Sequence, residues 1–468
     1  MLFERFEVAD LAHYSYGVGC PGAGEAAIVD PERNTDRYLD WAAASELRIT
    51  HVIETHIHAD YASGAKELAE RADAELVLSA YDEGELYDVE FAHRAIEHGE
   101  RLDVGAVRIE AVFTPGHTPE HMAYLVYETV RSADVPEIFL SGDFLFVGSL
   151  GRPDLLGEDA KMELARRQYD SVRNRLAGLP DGLEVAPAHG AGSLCGAGMS
   201  GRPTSTLGFE RVANPYLNPD LGEQEFVDML LASVPPFPSY YRRMKELNSV
   251  GPEALGGMAM PQALAPREFQ AFIEAQAATV VDLRDKIAFA GEHVPGSLAI
   301  GTSGSLSTWA SWLVPYDRPI LLVAESASQV EEACKLLYRV GLDQVYGYLA
   351  GGITAWEEAG MRVEELHQIS PRQLHDSTRA GEPMRILDVR GENEWNSGHI
   401  PGSVPVQGGE LAEGLAGIPA GAGPLVVVCN ISYRSTAVAS MLRRQGVEDL
   451  LNLTGGMVGW RAAGLPVE

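Results

Sequence analysis

The chain has 468 residues, 46% hydrophobic and 22% charged, which is enough apolar material for several buried cores. Lys and Arg number 36 against 67 Asp and Glu, a formal net charge of −31 that argues against non-specific binding to nucleic acid or to an anionic membrane surface. No apolar run is long enough for a membrane-spanning helix, the first residues lack the pattern of a signal peptide, and four scattered cysteines make no disulfide framework, so the expectation is a cytoplasmic protein with free thiols.

In chain order, AAIVDP (residues 26–31) reads as a buried strand running into a turn, and residues 37–47 carry apolar side chains at helical spacing. ITHVIETH (49–56) is a second strand that opens into a loop, followed by a helical stretch from Ala62. Two further strands, VRIEAVFTPGH (107–117) and EIFLSGDFLF (137–146), also end in glycine-bearing polar loops. In layered α/β folds, chemistry gathers on such loops because side chains converge there without disrupting the core.

The loop Thr55-His56-Ile57-His58-Ala59-Asp60-Tyr61 places three ligand-type residues in five positions. Downstream, His117 follows Pro115-Gly116, Asp143 follows Ser141-Gly142, and Gly151-Arg152-Pro153-Asp154 comes shortly after. These pieces resemble the metallo-β-lactamase superfamily, and within it the persulfide dioxygenases. The resemblance implies an αββα sandwich over residues 1–245 with a metal at its edge. It also implies His56, His117 and Asp143 as ligands of one Fe(II) per chain. Two histidines and one carboxylate leave open positions suited to iron and O₂, whereas zinc could hydrolyse but not oxygenate.

His58 is expected either as a further ligand or as a group beside the metal. Asp60 and His189 match the second-metal residues of hydrolases such as glyoxalase II. Position 61 is Tyr where those enzymes have His, which favours one metal. Arg152 is the candidate for binding an anionic substrate, against a salt bridge as its structural alternative. Cys195, in a glycine-rich loop after His189, is a candidate sulfur relay or a passive buried thiol. His13, His93, His98 and His121 are expected to have no role.

Around residues 245–266 (KELNSVGPEALGGMAMPQALAP) periodicity fades and Gly and Pro punctuate the chain, so a linker is expected over 246–266. Beyond it the sequence repeats. Val281-Asp282-Leu283-Arg284 returns as Leu387-Asp388-Val389-Arg390, His293-Val294-Pro295-Gly296 as His399-Ile400-Pro401-Gly402, and Gly351-Gly352 before Trp356 as Gly455-Gly456 before Trp460. The spacing of 104–106 residues suits a duplicated small domain rather than a solenoid unit.

In the second copy, a buried strand ends at Cys429 and a helix follows from Thr436, with Arg434 closing a six-residue loop. A thiol between a strand end and a helix N-terminus is suited to carrying a sulfur anion. This copy, residues 366–468, resembles a rhodanese sulfurtransferase domain, with Cys429 and Arg434 as its catalytic pair. The first copy, residues 267–362, has Ala324 and Gln329 at those positions and is expected to be an inactive rhodanese fold.

The fold class expected is therefore α/β throughout: a metallo-β-lactamase sandwich and two rhodanese domains, the first degenerate. The resemblance implies oxidation of a low-molecular-weight persulfide (glutathione persulfide or an analogue) by O₂ to sulfite and thiol, with rhodanese chemistry on sulfite and thiosulfate. No nucleic-acid or membrane partner is expected, and a homo-oligomer is compatible with the sequence. Two rivals are a zinc thioester hydrolase of the glyoxalase II kind and a sulfane-sulfur carrier without oxygenase activity.

Overall fold

The computed structural model describes residues 1–82, 86–412 and 414–468. The chain divides into two compact units. One comprises Met1–Met258 with the short segment Tyr338–Gly341, the other Ala259–Leu337 with Leu342–Glu468.

The first unit is built on two six-stranded sheets. In one, Leu2–Val8, His13–Cys20 and Glu25–Val29 pair antiparallel, and Arg48–Ile53, Glu75–Ser79 and Arg94–Ile96 continue it in parallel. The other runs Ser205–Thr206, Glu184–Pro187, Ile138–Gly142, Met122–Glu128, Val107–Phe113, Arg101–Val104.

Alternation along the strands sends one set of side chains inward and the next outward. Ala27, Val29, Ile53 and Val77 thus meet Ile109, Ala111, Tyr124 and Val126 between the sheets. The outer face of the first sheet, with Ala26, Ile28 and Val52, packs on Tyr38, Ala42 and Leu68 of helices Asp36–Ala44 and Ala65–Ala72. The outer face of the second, with Val112, Ala123, Leu125 and Val185, packs on helices Glu158–Arg175, Leu207–Ala213 and Glu223–Ser233. The result is the αββα sandwich.

The linker expected from residue 246 begins inside a helix, Tyr240–Val250. The chain after it remains bound to the first unit. Glu67 accepts hydrogen bonds from the backbone N–H of Leu255 (2.8 Å) and Gly256 (3.1 Å), and Arg33 donates to the carbonyl of Glu253 (2.6 Å). Loss of periodicity in this stretch marks extended chain held by buried polar anchors, not a free tether.

The second unit contains two five-stranded parallel sheets of the same order. Gln262–Leu264, Val345–Leu349, Ile320–Val323, Thr279–Asp282 and Leu298–Ala299 correspond to Gln368–Ile369, Leu450–Leu453, Leu425–Val428, Arg385–Asp388 and Val404–Pro405. The central strands are buried throughout, as parallel sheets covered on both faces require. The repeated landmarks have repeated physical jobs. Arg284 and Arg390 each fold back on the aspartate two residues earlier, at 2.7 Å. Trp356 and Trp460 fill equivalent cores, their indole N–H groups donating to the carbonyls of Arg362 (2.8 Å) and Pro466 (2.7 Å). Among the described residues, no helix is long and apolar enough to cross a membrane.

Candidate functional site

The loops following Arg48–Ile53, Val107–Phe113 and Ile138–Gly142 bring His56, His117 and Asp143 together, all three buried. The Nε2 atoms of His117 and His56 lie 3.3 and 3.8 Å from Oδ2 of Asp143. These same three atoms, His56 Nε2, His117 Nε2 and Asp143 Oδ2, are buried without a hydrogen-bond partner. Three orphaned acceptors facing one another in a dry site are costly unless a cation satisfies them. The donor set therefore fits a metal ion.

The surrounding hydrogen bonds set the tautomers. Thr55 Oγ1 donates to Asp30 Oδ2 (2.9 Å), so at 2.9 Å from His56 Nδ1 it accepts that ring's proton and leaves the Nε2 lone pair free. His117 Nδ1 lies 2.8 Å from the carbonyl of Arg152 and must be the protonated nitrogen there, again freeing Nε2. Burial, reinforced by neighbouring cationic groups, holds both imidazoles well below their ordinary range, in the neutral form a metal requires. Gly151 permits the close approach of this segment. A Cβ there would sit 2.0 Å from the Asp143 carbonyl and 2.9 Å from His117 Nδ1.

His189 lies between two carboxylates, with Nδ1 2.7 Å from Asp143 Oδ1 and Nε2 2.8 Å from Asp60 Oδ2. Burial opposes its charge, but Asp143 and Asp60 outweigh it and push the group up to about 10. Its ring thus links Asp60 to Asp143 and braces the latter. Tyr61 turns its hydroxyl to the carbonyl of Asp30 (3.2 Å) and supplies no ligand. His58 groups with Asp30 and Glu54 rather than with the His56 set.

Cys195 reaches Asp60 and His189, but its thiol is pushed well up by burial and then by the carboxylates of Asp60 and Asp143. It rests 3.6 Å from the Tyr241 hydroxyl as a neutral S–H.

Arg152 is not placed as a receptor for an anionic substrate, and this corrects the expectation from sequence. Its side chain is fully buried and all five N–H donors are taken. Nε and Nη2 form a fork on Asp154 (2.7 and 2.8 Å), Nη2 also reaches the carbonyl of Pro235 (2.9 Å), and Nη1 reaches those of Leu194 (2.9 Å) and Pro236 (3.5 Å). The residue ties three loops together and offers its own carbonyl to His117.

Sequence reasoning also passed over groups that shape this site. His121 receives the backbone N–H of Asp143 at Nε2 (3.0 Å) and stacks on His56. His13 is fully buried against Tyr61, with ring centroids 4.2 Å apart. Asp30 sits at φ 52°, a conformation that costs a non-glycine residue energy and often marks a functional position. Its only sequence signal was an acid at a strand end before Pro31.

In the last copy, Cys429 follows strand Leu425–Val428 and stands before helix Tyr433–Arg444. Ser435 Oγ lies 3.4 Å from its Sγ and donates to Asn452 Oδ1 at 2.6 Å. Arg434 is at the rim, bound in a fork to Glu394 at 2.6 and 2.7 Å. In the first copy the equivalent loop is closed by Gln329, which donates to the Leu283 carbonyl (2.8 Å) and Thr302 Oγ1 (3.1 Å) and accepts from the Glu325 N–H (2.8 Å). Ala324 stands where Cys429 does, so that loop has no nucleophile. The two copies touch through the cysteine loop, where the Tyr433 hydroxyl donates to the carbonyl of Gly301 (3.0 Å).

Comparison with known proteins agrees with this architecture. The family model of the metallo-beta-lactamase superfamily matches residues 9–189, and that of the rhodanese-like domain matches 265–359 and 370–463. A Burkholderia pseudomallei (strain 1710b) protein named "Probable metallo-hydrolase" is 30% identical over 261 residues, 50% of this chain and 86% of that protein. A hydroxyacylglutathione hydrolase of Parasynechococcus marenigrum (strain WH8102) is 31% identical over 35% of this chain and 61% of its own length. The crystal structure of a metallo-beta-lactamase from Staphylococcus aureus subsp. aureus COL aligns with a TM-score of 0.67 at 32% identity, covering 75% of this chain and 98% of that one.

Proposed function

The chain belongs to the metallo-β-lactamase superfamily and carries two rhodanese-like domains behind that fold, and on this basis we propose that it is an iron persulfide dioxygenase coupled to sulfur transfer. The reaction is RSSH + O₂ + H₂O → RSH + SO₃²⁻ + 2H⁺, in which the outer sulfur is oxidised and both atoms of O₂ are reduced. Fe(II) bound by His56, His117 and Asp143 would supply open coordination positions for the persulfide sulfur and O₂ together with an accessible redox couple.

The chain's own residues set that centre up. Thr55 and the Arg152 carbonyl hold the protons on the far nitrogens of His56 and His117. His189 and the His121 ring orient Asp143 through its Oδ1 and its N–H. Tyr61 stands where hydrolases of the glyoxalase II kind have a metal-binding histidine and turns its hydroxyl to the Asp30 carbonyl, which supports a single metal. The union in one chain of the His56, His117 and Asp143 donor set with a rhodanese-type cysteine loop is the observation that carries the proposal. The Cys429 loop would take the outer sulfur from thiosulfate, or pass it to sulfite, as a cysteine persulfide. Four free cysteines suit a reducing compartment, and we place the reaction in the cytoplasm.

A second reading, a zinc thioester hydrolase, is favoured by the likeness to the hydroxyacylglutathione hydrolase. One experiment separates the two. Protein loaded anaerobically with iron is given glutathione persulfide, and O₂ uptake and sulfite are counted. The expected result is one sulfite per O₂, lost in His117→Ala and retained in Cys429→Ser, which should lose only sulfur transfer to and from thiosulfate. No O₂ uptake by iron-loaded protein, with thioester hydrolysis by the zinc-loaded form, would overturn the dioxygenase in favour of the hydrolase.

A further inference from the structure

Glu54 is a buried carboxylate that the metal set does not use. Its Oε2 lies 3.0 Å from Nε2 of His58, four residues on, and its Oε1 accepts a hydrogen bond from Ser63 Oγ. Asp30 Oδ1 lies 3.2 Å from the same His58 nitrogen. Asp30 has other duties, since its two oxygens also accept the N–H (2.7 Å) and hydroxyl (2.9 Å) of Thr55. Glu54 groups with Asp30 and His58 rather than with the His56 set, and its side chain meets His58 and Ser63.

His58 lies beside the metal set on the same loop as His56. Its ring is already 4.1 Å, centroid to centroid, from that of the ligand His56. Asn248 holds the loop in place by donating to the carbonyls of His58 (2.8 Å) and Tyr61 (2.7 Å), which anchors the main chain while leaving the His58 side chain to be oriented by what its nitrogens meet. A histidine two residues from a ligand, on the same loop and beside it, would be a ready fourth ligand.

We propose that Glu54, with Asp30, is a positioning residue that holds the His58 ring off the metal and thereby keeps the centre at three protein ligands. The inference rests on the reading of His56, His117 and Asp143 as the metal set. A fourth imidazole would occupy one of the open positions that a sulfur substrate and O₂ share, and would move the site toward the closed, four-ligand geometry of a structural metal. Glu54 acts on the reaction only through His58.

The test uses the full-length protein loaded with Co(II), read by proton NMR of the paramagnetically shifted, solvent-exchangeable imidazole N–H signals, one for each ligating histidine. Wild type and His58→Ala should each show two such signals, from His56 and His117. Glu54→Ala should show three, and Glu54→Ala combined with His58→Ala should return to two. Glu54→Gln, which keeps the shape and removes the charge, serves where the alanine variant does not take up one cobalt per chain, and should also show three. Three signals in wild type, or two in a cobalt-loaded Glu54 variant, would overturn the proposal. Full cobalt uptake by His117→Ala would overturn the metal set itself, and the proposal with it.

Discussion

Replacing Arg152 by alanine should lower the melting temperature of the first unit by about 6–20 °C and weaken metal binding, without a specific rise in KM. The guanidinium is fully buried, forked on Asp154 and bonded to three backbone carbonyls. Removing one partner of a buried pair costs about 3–5 kcal/mol, because the other is left without compensation. In a unit of this size each kcal/mol moves the melting temperature by about 2–4 °C. Arg152→Lys should recover only part of this, since an ammonium has three donors and cannot form the fork.

The same residue's carbonyl accepts the His117 proton, so loosening the segment should reduce metal affinity by about 10–100-fold. The assay is calorimetry of wild type and both variants, with and without chelator, following the transition that responds to metal, since a chain of several domains need not melt in one step. An Arg152→Ala protein that melts like wild type but shows a raised KM for persulfide would refute the reasoning and restore Arg152 as the anion receptor.

Thr55→Val removes the hydroxyl that accepts from His56 and donates to Asp30, and should cost about 10–100-fold in metal affinity by chelator competition; unchanged affinity would mean the relay does not orient the ligand. Gly456→Ala should destabilise the second unit by about 1–3 kcal/mol and slow sulfur transfer, because Gly456 has φ 54° and its Cβ would stand 2.3 Å from the Cys429 carbonyl. Gly352→Ala, whose Cβ would meet the Ala324 carbonyl at 3.0 Å, should cost less, with both variants read by denaturant titration. The hydrogen bonds from Arg434, against an opposing burial effect, hold Glu394 below its ordinary range. Its contribution to stability is therefore complete above the ordinary glutamate value of about 4.3 and fades as the pH falls through the depressed one. The melting-temperature gap between wild type and Glu394→Gln should accordingly be present at neutral pH and vanish in acid; a gap that persists in acid would show that the charge is not its source.

The ligand-type residues were legible in the sequence because they cluster in short motifs at strand ends, where backbone geometry alone brings His56, His117 and Asp143 toward one point. The duplication was legible because Asp282 and Asp388, or Trp356 and Trp460, perform the same local task in each copy and so leave the same local text. Side chains whose partners lie far along the chain were not. Arg152 is held by Leu194, Pro235 and Pro236, and His13 reaches Tyr61 from the start of the second strand; no spacing rule links those positions.

A local pattern can name a residue's chemistry, since that depends on the side chain and its immediate backbone. Whether an arginine meets a substrate or five internal acceptors, or whether His58 faces a metal or two carboxylates, depends on desolvation and on which distant loops arrive at the same place. Burial is a property of the folded whole, and only the tertiary structure decides it.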